Sequence, residues 1–255
     1  MNLPALTKFA VLLLNPQRMT FKIGWCLCAE DARIAFDPPA RFVPPKDASG
    51  KGQGFLSCPA VRNYFDGIHF VSSPFSIRLR YAKEDGFISI KPVYPFTSIS
   101  EAKFREFVTV EPRETWSNSH TVALQIPSPY LFFSDTPATI EQFHPSLAQT
   151  STMNWRVIPG KFDIFSWQRP LNWAIEWDTN LGDFVIRPGE PLYFIKFFDT
   201  QGGQEPAELV ECEMTPEIKE RLRLSRGITG IRKGLVPLMK KAGDTRLNIK
   251  LIPDR

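Results

Sequence analysis

The stretch Leu171–Phe198, LNWAIEWDTNLGDFVIRPGEPLYFIKFF, decides the fold. Trp173, Ile175 and Trp177 sit at every second position, so an extended chain places them on one face and turns Glu176 to the other. Asp178–Asp183 is rich in turn formers and predicts a hairpin from Leu171–Trp177 into Phe184–Arg187. Pro188-Gly189-Glu190-Pro191 reads as a further turn. Beyond it, Leu192–Phe198 is apolar on both faces except for Lys196, as expected of a central strand.

The same grammar extends upstream. Thr20–Leu27, Gly67–Ser72, Phe75–Tyr81, His120–Ile126, Tyr130–Phe133, Met153–Ile158 and Phe162–Trp167 read as short strands, and Ala207–Met214 adds one downstream. Asp85-Gly86 predicts a hairpin from Phe75–Tyr81 into Phe87–Tyr94. Ser100–Phe107 can form a short helix, and residues 35–56 read as a long Pro/Gly loop. The 21 Phe, 6 Trp and 23 Pro fit sheets joined by Pro-anchored connections. The expectation is a mainly β protein, sandwich-like or jelly-roll-like, with a C-terminal helical tail.

At Thr215 the pattern changes. Thr215 suits an N-cap, Pro216 the first helical position, and Glu217 the positive end of the helix dipole. The helix runs toward Gly227, and a second short one is expected over 228–241. Thr215–Arg255 holds 11 Lys/Arg against 4 Asp/Glu, a net +7, while the rest of the chain carries −3. Ile218, Leu222 and Leu224 give the first helix an apolar side for docking on a sheet. Arg232, Lys233, Lys240 and Lys241 form a basic cluster, for which a solvated face is the main expectation and nucleic-acid contact the lesser one.

Residues 1–18 read as an overextended start or a loosely held leader, 19–214 as the β-sandwich, and 215–255 as the basic helical tail. KFAVLLL (8–14) is too short to span a membrane, so no membrane partner is expected. Four cysteines fit structural thiols in a reducing, cytoplasmic compartment.

Standard chemical signatures are missing. There is no G-x-S-x-G elbow, and Gly50–Gly54 lacks the phosphate-loop spacing. Cys26-x-Cys28 is one residue short of a zinc knuckle, and none of His69, His120 and His144 begins an H-x-D, H-x-E or H-x-H motif. A metal centre could arise only if those histidines converged with a carboxylate such as Asp66, Glu114 or Asp135.

The segments CPAVRNYFDGIHFVSSPFSIRLRY (58–81) and VIPGKFDIFSWQRPLNWAIEWDTNLGDFVIRPGEPLYFIKFF (157–198) resemble an uncharacterised family of β-rich proteins found in bacteria and marine bacteriophages. The marks are Cys58-Pro59-Ala60, Ser73-Pro74-Phe75, Pro159-Gly160, Arg169-Pro170-Leu171-Asn172 and Arg187–Leu192. The resemblance covers about residues 56–200 and implies no activity.

The leading expectation is therefore a ligand-binding or assembly module, with homo-oligomers or a larger assembly as partners. The alternative is a jelly-roll enzyme, such as a metal-dependent oxygenase with a non-standard ligand set. Polar residues flanking the motifs must find partners, which selects Asp66, His69, Arg78, Arg80, His120, Arg169, Asn172 and Glu190 as candidate binding residues. No catalytic residue, metal ligand or cofactor is assigned.

Overall fold

The computed structural model describes residues 21–28, 35–44, 54–84, 87–146, 153–200, 206–226, 237–238, 241 and 251–253. The expected leader, the Gly-rich part of the 35–56 loop and most of the second tail helix lie outside these residues.

The strand β11 (Pro170–Asp178) buries Leu171, Trp173, Ile175 and Trp177 and leaves Glu176 on its other face. It lies antiparallel between β7 (Thr121–Phe133) and β9 (Trp155–Val157). β7 is one strand of 13 residues where two are expected, because it continues through Pro127 and Pro129. Proline cannot donate to a ladder, and the pairing slips between Pro170 and Asn172, where Asn172 stands opposite Pro127. Beyond the prolines, the other edge of β7 pairs with β1 (Lys22–Leu27), which in turn pairs in parallel with β14 (Glu208–Glu211). The sheet order is β14-β1-β7-β11-β9, with β6 (Thr109–Val110) added along β7.

Leu192–Phe198 belongs to β13 (Pro191–Asp199), which is central to a second, antiparallel sheet. β8 (Ala138–Phe143) and β3 (Ile68–Ser72) flank it, with β10 (Gly160–Asp163) and β2 (Ala40–Arg41) at the edges. β4 (Ile77–Glu84), β5 (Phe87–Pro92) and β12 (Phe184–Ile186) form a third sheet.

The placement of β12 corrects the expected Leu171–Arg187 hairpin, because β12 pairs with β4 and not with β11. A 3-10 turn at Thr179–Leu181, capped by the Asp178 carboxylate, and Gly182 at φ 106° swing the chain out of the first sheet. Gly182 O then accepts the Trp177 indole N–H, and Asp183 receives N–H groups from both Arg78 and Arg80.

All three sheets turn their apolar faces to one core, which includes Trp25, Val71, Leu79, Phe132, Ile140, Trp155, Trp173, Trp177, Phe184, Tyr193 and Ile195. Two helices cover outer faces of the sheets, and a third packs into the common core. α1 (Pro59–Phe65), which the sequence reading lacked, packs Phe65 on Phe42, Ile68 and Phe194 outside the second sheet. α2 (Glu101–Phe107) is the expected short helix, with the Ser100 side chain accepting the Lys103 N–H. α3 (Pro216–Arg226) places Ile218 and Leu222 on Cys26, Leu131, Phe133 and Val210 outside the first sheet. Its buried face continues through Arg221 and Ser225, whereas Leu224 is 40% exposed, so the apolar side differs from the expected one at that position. Leu251 and Ile252 join the same cluster, their N–H groups held at 2.9 Å by the two Asp135 oxygens. No described helix is long and apolar enough to cross a membrane.

The Ser73-Pro74-Phe75 and Arg187–Leu192 segments meet in space. Ser73 donates to Glu190 O at 2.9 Å, and Gly189, at φ 80°, donates to Ser73 O at 2.8 Å.

Candidate functional site

The outward side of β11 carries Glu176 and Asp178 into a cleft of about 390 Å³. Arg156 stands opposite Glu176 on β9 and donates from Nε to Oε2 at 2.6 Å. The other carboxylate oxygen of Glu176 accepts the Ser117 hydroxyl. The Glu176 side chain is 14% exposed and that of Arg156 67%, so the acid forms part of the floor and the guanidinium part of the rim.

The remaining walls come from segments far apart in the chain. Asn118 Oδ1 accepts the His120 N–H and the Thr121 hydroxyl, which orders the turn entering β7. Asn154 Nδ2 donates to Gly182 O at 2.8 Å and Asp183 O at 3.1 Å, tying the cleft to the Arg78–Asp183–Arg80 group. Asp178 accepts the Asn180 N–H. His144 Nδ1 accepts the Val157 N–H at 3.2 Å, which puts the ring proton on Nε2. Burial, and then the charge of Arg156, hold His144 below its ordinary pKa, so it is neutral at pH 7. Met153 and Leu181 add apolar surface.

The residues singled out from sequence are mostly distributed elsewhere. Arg78 and Arg80 converge on Asp183, and Arg78 also stacks on Phe96 with its guanidinium carbon 4.9 Å from the ring centroid. Asp66 pairs with Arg41 at 2.6 Å on the surface. His69 is buried against Phe197, and its pKa is lowered to about 4, chiefly by burial. His120 uses its backbone, its carbonyl accepting both the amide and the hydroxyl of Thr179. Asn172 donates to Gln125 at 2.9 Å across the first sheet. Glu190 closes its own turn on the Arg187 amide and guanidinium. Arg169 lies over the rings of Trp167 and Phe162.

The three histidines occupy three separate settings, and no three His, Cys, Asp or Glu side chains gather as a metal ligand set among the described residues. The alternative reading, an oxygenase with a non-standard ligand set, thus finds no such set among these residues. Of the cleft residues, Glu176 carries a sequence signal in its alternation against the tryptophans, and Asp178 and Leu181 in the predicted turn. His144 belongs to no metal-ligand motif, and Arg156, Ser117, Asn118 and Asn154 belong to no motif at all.

No protein-family model matches the chain, and no curated protein matches it.

Proposed function

We propose that the protein is a ligand-binding β-sandwich module whose Glu176–Arg156 cleft takes a small, neutral, hydroxyl-rich molecule such as a sugar or polyol. The observation that carries this reading is the nearly buried Glu176 carboxylate, oriented through both oxygens at the floor of a cleft with mixed polar walls. Carboxylates and amide oxygens accept, while guanidinium and amide N–H groups donate. A hydroxyl does both, so it matches such walls without a net charge of its own. Met153 and Leu181 offer surface for the C–H faces of the ligand. The volume lies within the roughly 300–1,000 Å³ typical of small-molecule sites.

Titration of a panel of neutral mono- and disaccharides into isotopically labelled protein tests this reading. Saturable shifts confined to residues around β9 and β11, weakened at least about tenfold in Glu176→Gln, are expected. A panel that produces no saturable shift, or a variant that binds unchanged, refutes it.

The assembly reading draws on a different feature. Phe96 and Tyr94, 57% and 50% exposed, stand together in the turn after β5, and such paired aromatics suit an interface with a second copy or a larger assembly. Sedimentation of the wild type and of Phe96→Ser at equal concentration separates the two: a shared monomer mass removes this second reading. The exposed Cys58 supports a reducing, cytoplasmic setting.

A further inference from the structure

Trp167-Gln168-Arg169 forms the passage from β10 in the second sheet to β11 in the first. The passage is braced from within. Asp163 accepts the N–H groups of Phe165 and Ser166, and Gln168 Nε2 donates to Ile164 O at 3.1 Å and Phe165 O at 2.7 Å.

On this frame Arg169 is half-buried, with its guanidinium carbon 4.8 Å from the Trp167 ring centroid and 6.0 Å from that of Phe162. Its one hydrogen bond among the described residues runs from Nε to Pro170 O, at a long 3.4 Å. The comparably shielded Arg78, by contrast, is matched with Asp183. Arg169 has no carboxylate partner among the described residues, and burial alone pushes its pKa down. Next to it, the Trp167 indole N–H is buried and has no acceptor among the described residues. A desolvated cation and an unsatisfied N–H are each costly, and here both occur on one braced passage.

We propose that Arg169 and the Trp167 indole N–H form the seat of a single carboxylate carried by a small organic acid, a site separate from the Glu176 cleft. One carboxylate oxygen takes the free Nη edge of the guanidinium, and the other takes the indole N–H as the guanidinium moves outward. The charge count selects the ligand. One cation balances one monoanion, whereas a phosphate dianion leaves excess negative charge beside two aromatic rings. The Phe162 and Trp167 rings favour an aromatic acid over an aliphatic one.

The six Trp indole N–H resonances of the labelled full-length chain provide the test, with that of Trp167 assigned through Trp167→Phe. Sodium benzoate is the probe, benzamide its neutral isostere and inorganic phosphate the dianion. Benzoate is expected to move the Trp167 resonance downfield and saturably, with a Kd at or below about 1 mM, while benzamide and phosphate leave it in place. Arg169→Met is expected to weaken the response at least about tenfold. A Trp167 resonance that ignores benzoate overturns the proposal, as does an equal response to benzamide or phosphate. Should Arg169→Met fail to fold, the comparison of benzoate with benzamide on the wild type decides alone.

Discussion

Replacing Asp183 by Asn keeps the shape of the side chain and removes the charge that fastens β12 to β4. The wild-type carboxylate receives Arg78 Nε at 2.7 Å, Arg80 Nε at 3.1 Å and Arg80 Nη2 at 2.9 Å. Asp183 is 16% exposed and Arg78 33%, but Arg80 is 58% exposed, so solvent screens the Arg80 pair and the Arg78 bond carries most of the effect. Charge-assisted bonds contribute about 1.5–3 kcal/mol each when shielded, so a loss of about 2 kcal/mol is expected at pH 7. For a chain of this size that corresponds to about 4–8 °C in the unfolding midpoint. The two arginines, Arg80 foremost, hold the Asp183 pKa below its ordinary value. The stabilisation is therefore complete above the unfolded-state pKa near 3.9 and disappears as pH falls through the lower folded value. Denaturant unfolding followed by Trp fluorescence suits the measurement, because the Trp177 indole bonds the same loop at Gly182 O. The difference between wild type and variant should persist from pH 8 to 5 and shrink toward pH 3. A difference below about 0.5 kcal/mol at pH 7, or one that does not change in acid, refutes the clasp.

Two further outcomes follow from the core. His69 has a folded pKa near 4 against an ordinary 6.5, so the unfolded chain binds a proton first as pH falls from 6.5 to 4. Stability should drop by about 3 kcal/mol across that window and level off below it, and His69→Gln should flatten the profile measured by urea titration. A side chain added at Gly24 would begin 2.3 Å from a ring carbon of Phe133, the residue paired with it across β1 and β7. Gly24→Ala should therefore lose about 1–3 kcal/mol in equilibrium unfolding, although alanine is otherwise the easier residue to order in a strand.

What could be read from the sequence depended on how local each signal was. The alternation through Trp173, Ile175 and Trp177 and the apolar run at Leu192–Phe198 need no partner to be recognised, and both are strands with the expected faces. Thr215 is likewise a local signal, and its hydroxyl caps α3 by accepting the Ile218 N–H. Strand pairing is not local. Phe184–Ile186 follows a good turn, yet its partner Ile77–Leu79 lies over a hundred residues upstream, and the Asp183 contacts that choose it leave no mark in the spacing. Pro59–Phe65 leaves no mark in the sequence pattern, because a helix of seven residues with one buried side chain shows no stripe. The cleft was hidden for a similar reason. Glu176 meets Arg156 across 20 positions and Ser117 across 59, and only the pairing of β9 with β11 and the path of the 117–121 turn bring them together.

The parallel pairing of β1 with β14 matters most while the chain is still being made. Residues 22–27 find their first neighbour at Tyr130–Phe133 and their second only at Glu208–Glu211. At ribosomal speeds of about 5–20 residues per second, β1 waits roughly 10–40 s between its own synthesis and that of its last partner. Until Tyr130–Phe133 is made, roughly 5–20 s into that interval, Trp25, Cys26 and Leu27, all buried in the finished protein, have no strand to pair with. Closure of the first sheet is thus a late event in biosynthesis, and until then the segment around Trp25 is an apolar target for a nascent-chain chaperone.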